Sequence, residues 1–228
     1  MTEKEIIAQC IAFFGAGFET TSTGLAHAVY ELAMNPEVQE RLHAEIVELE
    51  KEYDPDNMNV HFEAILNQAP YLEAIVKETL RKYPPLVRIE RRVTSDKVTL
   101  GGIPLDKDVL IEIPTIAVHR DPDYYPEPDR FNPERFMPEN KHLLVPYTYV
   151  PFGQGPRNCI GMRFAYQETK LCLASIVRRF RFSATANTPD KLQYQSGQLM
   201  MNCMPFEVMV SKRWNFDDEK MSFLNFLK

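Results

Sequence analysis

Pro151-Phe152-Gly153-Gln154-Gly155-Pro156-Arg157-Asn158-Cys159-Ile160-Gly161 is the stretch on which the reading of this chain turns. One cysteine sits among three glycines, and a run of helix-forming residues follows. Glycines let a backbone fold tightly around a sulfur and come close to a flat macrocycle. A thiolate that ligates a metal must be held in one orientation, shielded, and supplied with N–H donors. Phe152 can cover the sulfur. The fork of Arg157 suits a carboxylate. A helix starting after Gly161 places its N-terminal dipole beside the anion. The ordinary alternative is a core cysteine in a glycine-rich turn, and it leaves most of these eleven residues unexplained.

Working outward, the 228 residues carry a formal charge of −6, with 44% hydrophobic and 25% charged residues. That is ordinary globular composition. The acidic balance argues against a general nucleic-acid binder, which needs a basic surface for phosphate. Cysteines stand at 10, 159, 172 and 203. Without a C-x-x-C pair they do not suggest zinc, and their spacing does not suggest a secreted disulfide framework. Free thiols in a reducing compartment are expected. The apolar run Ile6 to Phe18 is too short to span a bilayer, so the sequence in hand reads as soluble or peripheral.

Periodicity predicts a long helix over 3–33, interrupted near Gly15, Gly17 and Thr20 to Thr23. Asn35-Pro36 ends it and starts an amphipathic helix over 36–53, with Val38, Leu42, Ile46 and Leu49 on one face. A loop covers Tyr53 to Asn57, and a helical turn is expected over 61–67. A further helix over 69–83 buries Leu72, Ile75, Val76, Thr79 and Leu80. Short strands are expected near 91–94, 98–100 and 109–113. Residues 121–158, dense in proline and aromatics, read as an ordered meander without regular elements. A helix over 161–179 should bury Phe164, Leu171, Ile176 and Val177, and short strands then run to about Val210.

The loop Phe152-Gly153-x-Gly155-Pro156-Arg157-x-Cys159-Ile160-Gly161 resembles the haem-binding signature of the cytochrome P-450 superfamily. Three further motifs follow in that family's order. Glu78-x-x-Arg81 puts two opposite charges on one helix face, and Pro133-Glu134-Arg135-Phe136 supplies a second arginine, so the resemblance implies a structural network of Glu78, Arg81 and Arg135. Ala16-Gly17-Phe18-Glu19-Thr20-Thr21 resembles the oxygen-activating segment. That likeness implies Thr20 and Glu19 as catalytic residues in proton delivery, with Ala16 against the cofactor. The ordinary reading of Thr20 is a hydroxyl bonded to its own preceding turn. By position, Arg88 resembles a second propionate partner, and Pro85 and Leu86 resemble pocket-lining residues beside Ala16 and Thr20. Ala117-Val118-His119-Arg120-Asp121-Pro122 looks most like the microsomal 3A-type clan.

The resemblance implies a mainly α fold with small β-sheets (α+β), namely the C-terminal half of the cytochrome P-450 fold. Residues 1–228 would form one partial domain, with 213–228 a tail, and the N-terminal half and its membrane anchor absent. It implies haem b iron on Cys159, with Arg157, Phe152, Gly153, Gly161, Arg88 and Ala16 binding the cofactor. The expected reaction is insertion of one atom of dioxygen into a lipophilic organic substrate. Electrons would come from NADPH through a flavoprotein reductase, with cytochrome b5 a further partner. Arg163, Lys170, Arg178 and Arg179 could contribute to a docking patch or simply be a solvated face. The parent protein would lie on the endoplasmic reticulum membrane, facing the cytosol. Two rivals stand. One is a haem-thiolate isomerase using peroxides, disfavoured by the hydroxyl of Thr20, and the other is a haem-free or inactive fragment. With its other half missing, apolar residues such as Ile6, Ile7 and Phe13 are expected to be exposed.

Overall fold

A computed structural model describes residues 1–52, 58–197 and 199–213. The expected loop over 53–57 and nearly all of the expected tail lie outside the described residues. Six α-helices are assigned: α1 (Glu3–Met34), α2 (Pro36–Glu52), α3 (Met58–Gln68), α4 (Pro70–Lys82), α5 (Thr115–His119) and α6 (Met162–Arg179). Six short strands accompany them: β1 (Ile89–Arg92), β2 (Val98–Leu100), β3 (Ile103–Leu105), β4 (Leu110–Ile113), β5 (Phe180–Ser183) and β6 (Met209–Lys212). The mainly α class with small sheets is therefore borne out. No helix among the described residues is long and apolar enough to cross a membrane.

Thr2 and Glu5 cap α1 reciprocally, each side chain accepting from the other's backbone N–H at 3.4 and 2.7 Å. The expected interruption is not formed, and α1 runs unbroken. The reason is local. The hydroxyls of Thr20 and Ser22 donate back to the carbonyls of Ala16 (2.7 Å) and Glu19 (3.1 Å), so they add bonds to the helix rather than competing for them.

Helices α1, α2, α4 and α6 meet around Leu32, Leu42, Leu72, Ile75 and Leu173, all fully buried. Two polar side chains from α2 fix this packing. Gln39 donates to the carbonyls of Leu32 (2.8 Å) and Phe182 (2.9 Å) and accepts from Phe182 N–H (2.8 Å), tying α1 and β5 to α2. Helix α4 begins at Pro70 with no side-chain cap of its own. Glu45 supplies one instead, accepting from the backbone N–H groups of Tyr71 and Leu72 at 2.8 Å each.

The expected buried stripe of α4 is as read. That of α6 is not. Phe164 is 64% exposed, and the inward face is Lys170, Leu173, Ala174 and Val177. Phe164 lies in the first turn of α6, which projects past the core, so its apolar character says nothing about its neighbours. Helix α3 is longer than the expected turn. Strand β1 starts two residues earlier than read, and β3 and α5 were not anticipated. The strands form three antiparallel pairs, β1 with β4, β2 with β3 and β5 with β6. The proline-rich meander holds three short 3-10 turns, at Pro133–Phe136, Pro138–Leu143 and Gly155–Arg157. Arg213 is held by Glu40 (2.7 and 2.9 Å). As expected, Ile6, Ile7 and Phe13 are exposed, together with Ile11, Phe14 and Phe18.

Candidate functional site

The cysteine loop is built by three consecutive backbone bonds. Val150 C=O accepts from Gly153 N–H at 3.0 Å, Gly155 C=O from Asn158 N–H at 3.1 Å, and Phe152 C=O from Cys159 N–H at 2.9 Å. Gly153 and Gly155 adopt positive φ, +73° and +80°, which L side chains rarely take up. The two turns reverse the chain and leave Cys159 exposed just before α6. Gly161 stands beside the sulfur, and a Cβ there would lie 3.8 Å from Cys159 Sγ. All four cysteines are free. Among the described residues, the Arg157 guanidinium makes no hydrogen bond or ion pair with protein, although it is exposed next to the loop.

A small, open-mouthed hollow of about 30 Å³ lies beside this loop. Its lining includes Phe152 and Ala165, Thr20, Thr21 and Gly24 of α1, Val76, Thr79 and Leu80 of α4, and Pro85. Thr20 and Phe152 thus face one space from segments far apart in sequence. Thr20 keeps its hydroxyl on the Ala16 carbonyl. A Cβ at Gly17 would meet nothing within 4 Å. Glu19 Oε1 accepts from Asn202 Nδ2 at 3.0 Å, and Asn202 Oδ1 accepts from Thr23 at 3.2 Å. Pro85 lines the hollow, but Leu86 does not. The chain around Leu86 is taken up in a short ladder with residues 199–201. Arg88 is turned to Glu90 (2.9 Å) and Glu112 (3.1 Å), on the side of the β1–β4 pair.

The three-residue charge network is present. Arg81 meets Glu78 at two points, 2.7 and 2.9 Å, and Arg135 Nε stands 3.5 Å from Glu78. Arg81 also donates to the carbonyls of His119 and Pro128, both at 2.8 Å. Arg135 reaches Glu127 C=O at 3.0 Å and also Pro126 C=O. Helix α4 is thereby stitched to the meander.

Lys170 does not belong to a docking patch. It is buried, donating to Leu66 C=O and Glu73 at 2.8 Å each. Burial would raise the Glu73 carboxyl, but hydrogen bonds from Lys170 and Lys77 override it and bring its pKa to about 2. Arg178 pairs with Glu50 at 2.8 Å, whereas Arg163 and Arg179 remain exposed.

Two buried histidines were given no role by the sequence. His27 stacks on Tyr83 and bonds Thr23 C=O (2.7 Å) and the Tyr194 hydroxyl (3.1 Å). Next to it the buried Glu31 accepts from Lys82 at 2.7 Å and from the Tyr83 hydroxyl. His119 bonds Arg81 C=O (3.1 Å) and Val150 N–H (2.9 Å). Burial holds both imidazoles at about pKa 4. The only signal for His119 was its place before Arg120-Asp121-Pro122. For Asn202 there was none.

The model for the family described as cytochrome P450 matches residues 1–210. Among curated proteins, cytochrome P450 3A29 of Sus scrofa is 44% identical over 197 residues, covering 86% of this chain and 38% of that protein. Lithocholate 6-beta-hydroxylase of Mesocricetus auratus is 40% identical over 194 residues, 85% of this chain and 37% of its own length. Probable cytochrome P450 6a13 of Drosophila melanogaster is 40% identical over 200 residues, 87% and 40% respectively. The chain spans about two fifths of the length of the curated relatives it matches.

Proposed function

This chain belongs to the cytochrome P450 family and resembles its 3A-type members, and from that premise we propose that residues 1–228 are the part of a haem-thiolate monooxygenase domain that supplies the iron ligand. One observation carries the reading. An exposed free cysteine and an arginine without a partner among the described residues stand two residues apart on a glycine-shaped loop, whose Phe152 lines a hollow together with Thr20.

The donor set fits a haem. A soft thiolate, an Arg fork for a propionate, and the apolar surface of Phe152, Ala165 and Pro85 match an iron macrocycle with carboxylate arms. Cys159 would ligate the iron and Arg157 would pair with a propionate. Gly153 and Gly161 would permit close approach, and Phe152 and Ala16 would pack on the rim. Arg88 can serve the second propionate by exchanging Glu90 and Glu112 for it. When bound, haem supplies reductive activation of dioxygen, one atom going to a lipophilic substrate and the other to water.

The chain's own residues would hold and move protons. The Thr20 hydroxyl can turn from the Ala16 carbonyl into the hollow and donate there. Glu19, held at its carboxylate by Asn202, can resupply it from solvent. Ala16, Thr20 and Pro85 would meet the substrate. Glu78, Arg81 and Arg135 would hold α4 to the meander and take no part in chemistry. The parent protein would receive electrons from NADPH through a flavoprotein reductase, with cytochrome b5 a second donor. It would work on the cytosolic face of the endoplasmic reticulum.

The test is haem reconstitution of the 228-residue chain, read as the absorption of its reduced, carbon-monoxide-bound form. A strongly red-shifted Soret band that disappears in Cys159→Ala is the expected result. An unchanged band in Cys159→Ala would remove Cys159 as the ligand. Absence of the band in a folded wild-type chain would mean that these residues need further polypeptide to hold haem.

A further inference from the structure

Val150 is the root of the cysteine loop. Its carbonyl closes the first turn on Gly153, and the residue two places on, Phe152, accepts the Cys159 N–H. Its own N–H points the other way, to His119 Nε2 at 2.9 Å. A backbone N–H can only donate, so Nε2 must carry the lone pair and the ring proton must sit on Nδ1. That proton is donated to the Arg81 carbonyl at 3.1 Å. Arg81 returns a bond from Nη1 to the His119 carbonyl at 2.8 Å.

His119 is 0% exposed. One ring face lies 5.6 Å from the Tyr149 ring, nearly parallel to it. Tyr149 shares a hydroxyl bond of 3.1 Å with Tyr166 of α6, whose ring packs on Phe152 at 5.2 Å. The imidazole is thus fixed by bonds on both nitrogens, and it joins the Glu78–Arg81 pair to the loop.

We propose that His119 is the positioning residue of the Cys159 loop. Its neutral imidazole, anchored on Arg81, holds the Val150 N–H and so sets the turn from which Phe152 and Cys159 are hung. The proposal rests on the reading of Cys159 as ligand only in what the loop is for. The mechanical claim concerns the protein alone.

Three variants separate its parts. His119→Gln can place an amide oxygen where Nε2 was and keep the Val150 bond. His119→Asn can keep the donor to Arg81 but cannot reach Val150. His119→Phe fills the space and makes neither bond. Amide hydrogen exchange of the wild-type 228-residue chain and the three variants gives the first readout, and alkylation of Cys159 followed by peptide mapping gives the second.

Exchange at Val150, Gly153 and Cys159 is expected to rise about tenfold in His119→Asn and His119→Phe, and to stay within about threefold of wild type in His119→Gln. Cys159 alkylation should follow the same order, while the amides of Leu72 and Leu173 in the core stay protected. If His119→Phe does not fold, the Gln and Asn pair still decides. Equal loop exchange in Gln and Asn, or no change in either, overturns the proposal. The carbon-monoxide spectrum is scored separately. A wild-type chain with no thiolate band but with the expected exchange order fails the haem reading and leaves the role of His119 standing.

Discussion

Glu78 and Arg81 meet at two points, 2.7 and 2.9 Å, with neither residue reaching solvent. Burying two charges is costly, and the cost is partly offset here by further bonds: Arg81 also holds the carbonyls of His119 and Pro128, and Glu78 also accepts from Asn132 N–H at 2.9 Å. Breaking the pair leaves one buried charge alone. Glu78→Gln is expected to lower unfolding free energy by about 3–5 kcal/mol, read as a drop in urea midpoint with unchanged slope. Arg81→Lys should be nearly as damaging, because one ammonium cannot span Glu78, His119 and Pro128. A loss below about 1 kcal/mol in Glu78→Gln would mean the pair is not a structural tie.

That network shows what could be read from sequence and what could not. The i, i+3 spacing predicted that Glu78 and Arg81 share a helix face, and a resemblance supplied Arg135. The five buried positions read for α4 followed from a 3.6-residue period. Phe164 and Lys170 misled because exposure depends on what lies across from a helix, which periodicity does not report. Lys170 is buried because Leu66 and Glu73 happen to face it. Of the site, the loop residues were legible because their glycines answer to local backbone geometry. The His119–Val150 and Glu19–Asn202 contacts were not, because each joins segments that only the assembled fold brings together.

Acid should weaken the fold through its two buried histidines. In the unfolded chain an imidazole titrates near 6.5, whereas burial lowers His27 and His119 to about 4. Below 6.5 the unfolded state therefore binds more protons, and stability falls as pH falls. The contribution of these groups is fully present above about 6.5, is lost progressively toward 4, and changes no further below that. It amounts to roughly 3 kcal/mol for each residue. Urea midpoints measured from pH 7 to pH 4 should slope downward. His119→Gln, which does not titrate, should flatten that slope by about half. An unaltered slope would mean that His119 is not buried neutral.

Thr20 separates stability from chemistry. Among the described residues its hydroxyl bonds only to its own helix, at Ala16, and the residue is half-buried. Thr20→Ala should change the stability of this chain by no more than about 0.5 kcal/mol. In the full-length enzyme, the same substitution should leave haem binding intact and make oxygen consumption outrun product formation. The checks are a thermal melt for the first and paired oxygen-electrode and product assays for the second. Retained coupling would take Thr20 out of proton delivery.

The loop glycines should differ in kind. At Gly153, φ is +73° and a new Cβ would meet Ile89 Cδ1 at 3.5 Å, whereas at Gly155, φ is +80° with nothing within 4 Å. An alanine at either must hold a left-handed conformation, at a cost of about 1–2 kcal/mol, with Gly153→Ala and Gly155→Ala similar in effect, because the 3.5 Å approach to Ile89 is ordinary van der Waals contact. Gly161 has φ −85°, where alanine is at ease, so Gly161→Ala should cost at most about 1 kcal/mol, from its weaker helix-capping. Its new methyl would instead stand 3.8 Å from Cys159 Sγ. The expected pattern is a crossover. Gly153→Ala and Gly155→Ala lower the urea midpoint of the chain without cofactor to a similar degree, and Gly161→Ala lowers it least yet shifts haem titration by placing a methyl beside the sulfur. If all three variants lose stability and haem affinity in proportion, these glycines serve the loop's folding alone and leave no separate role for Gly161 at the ligand.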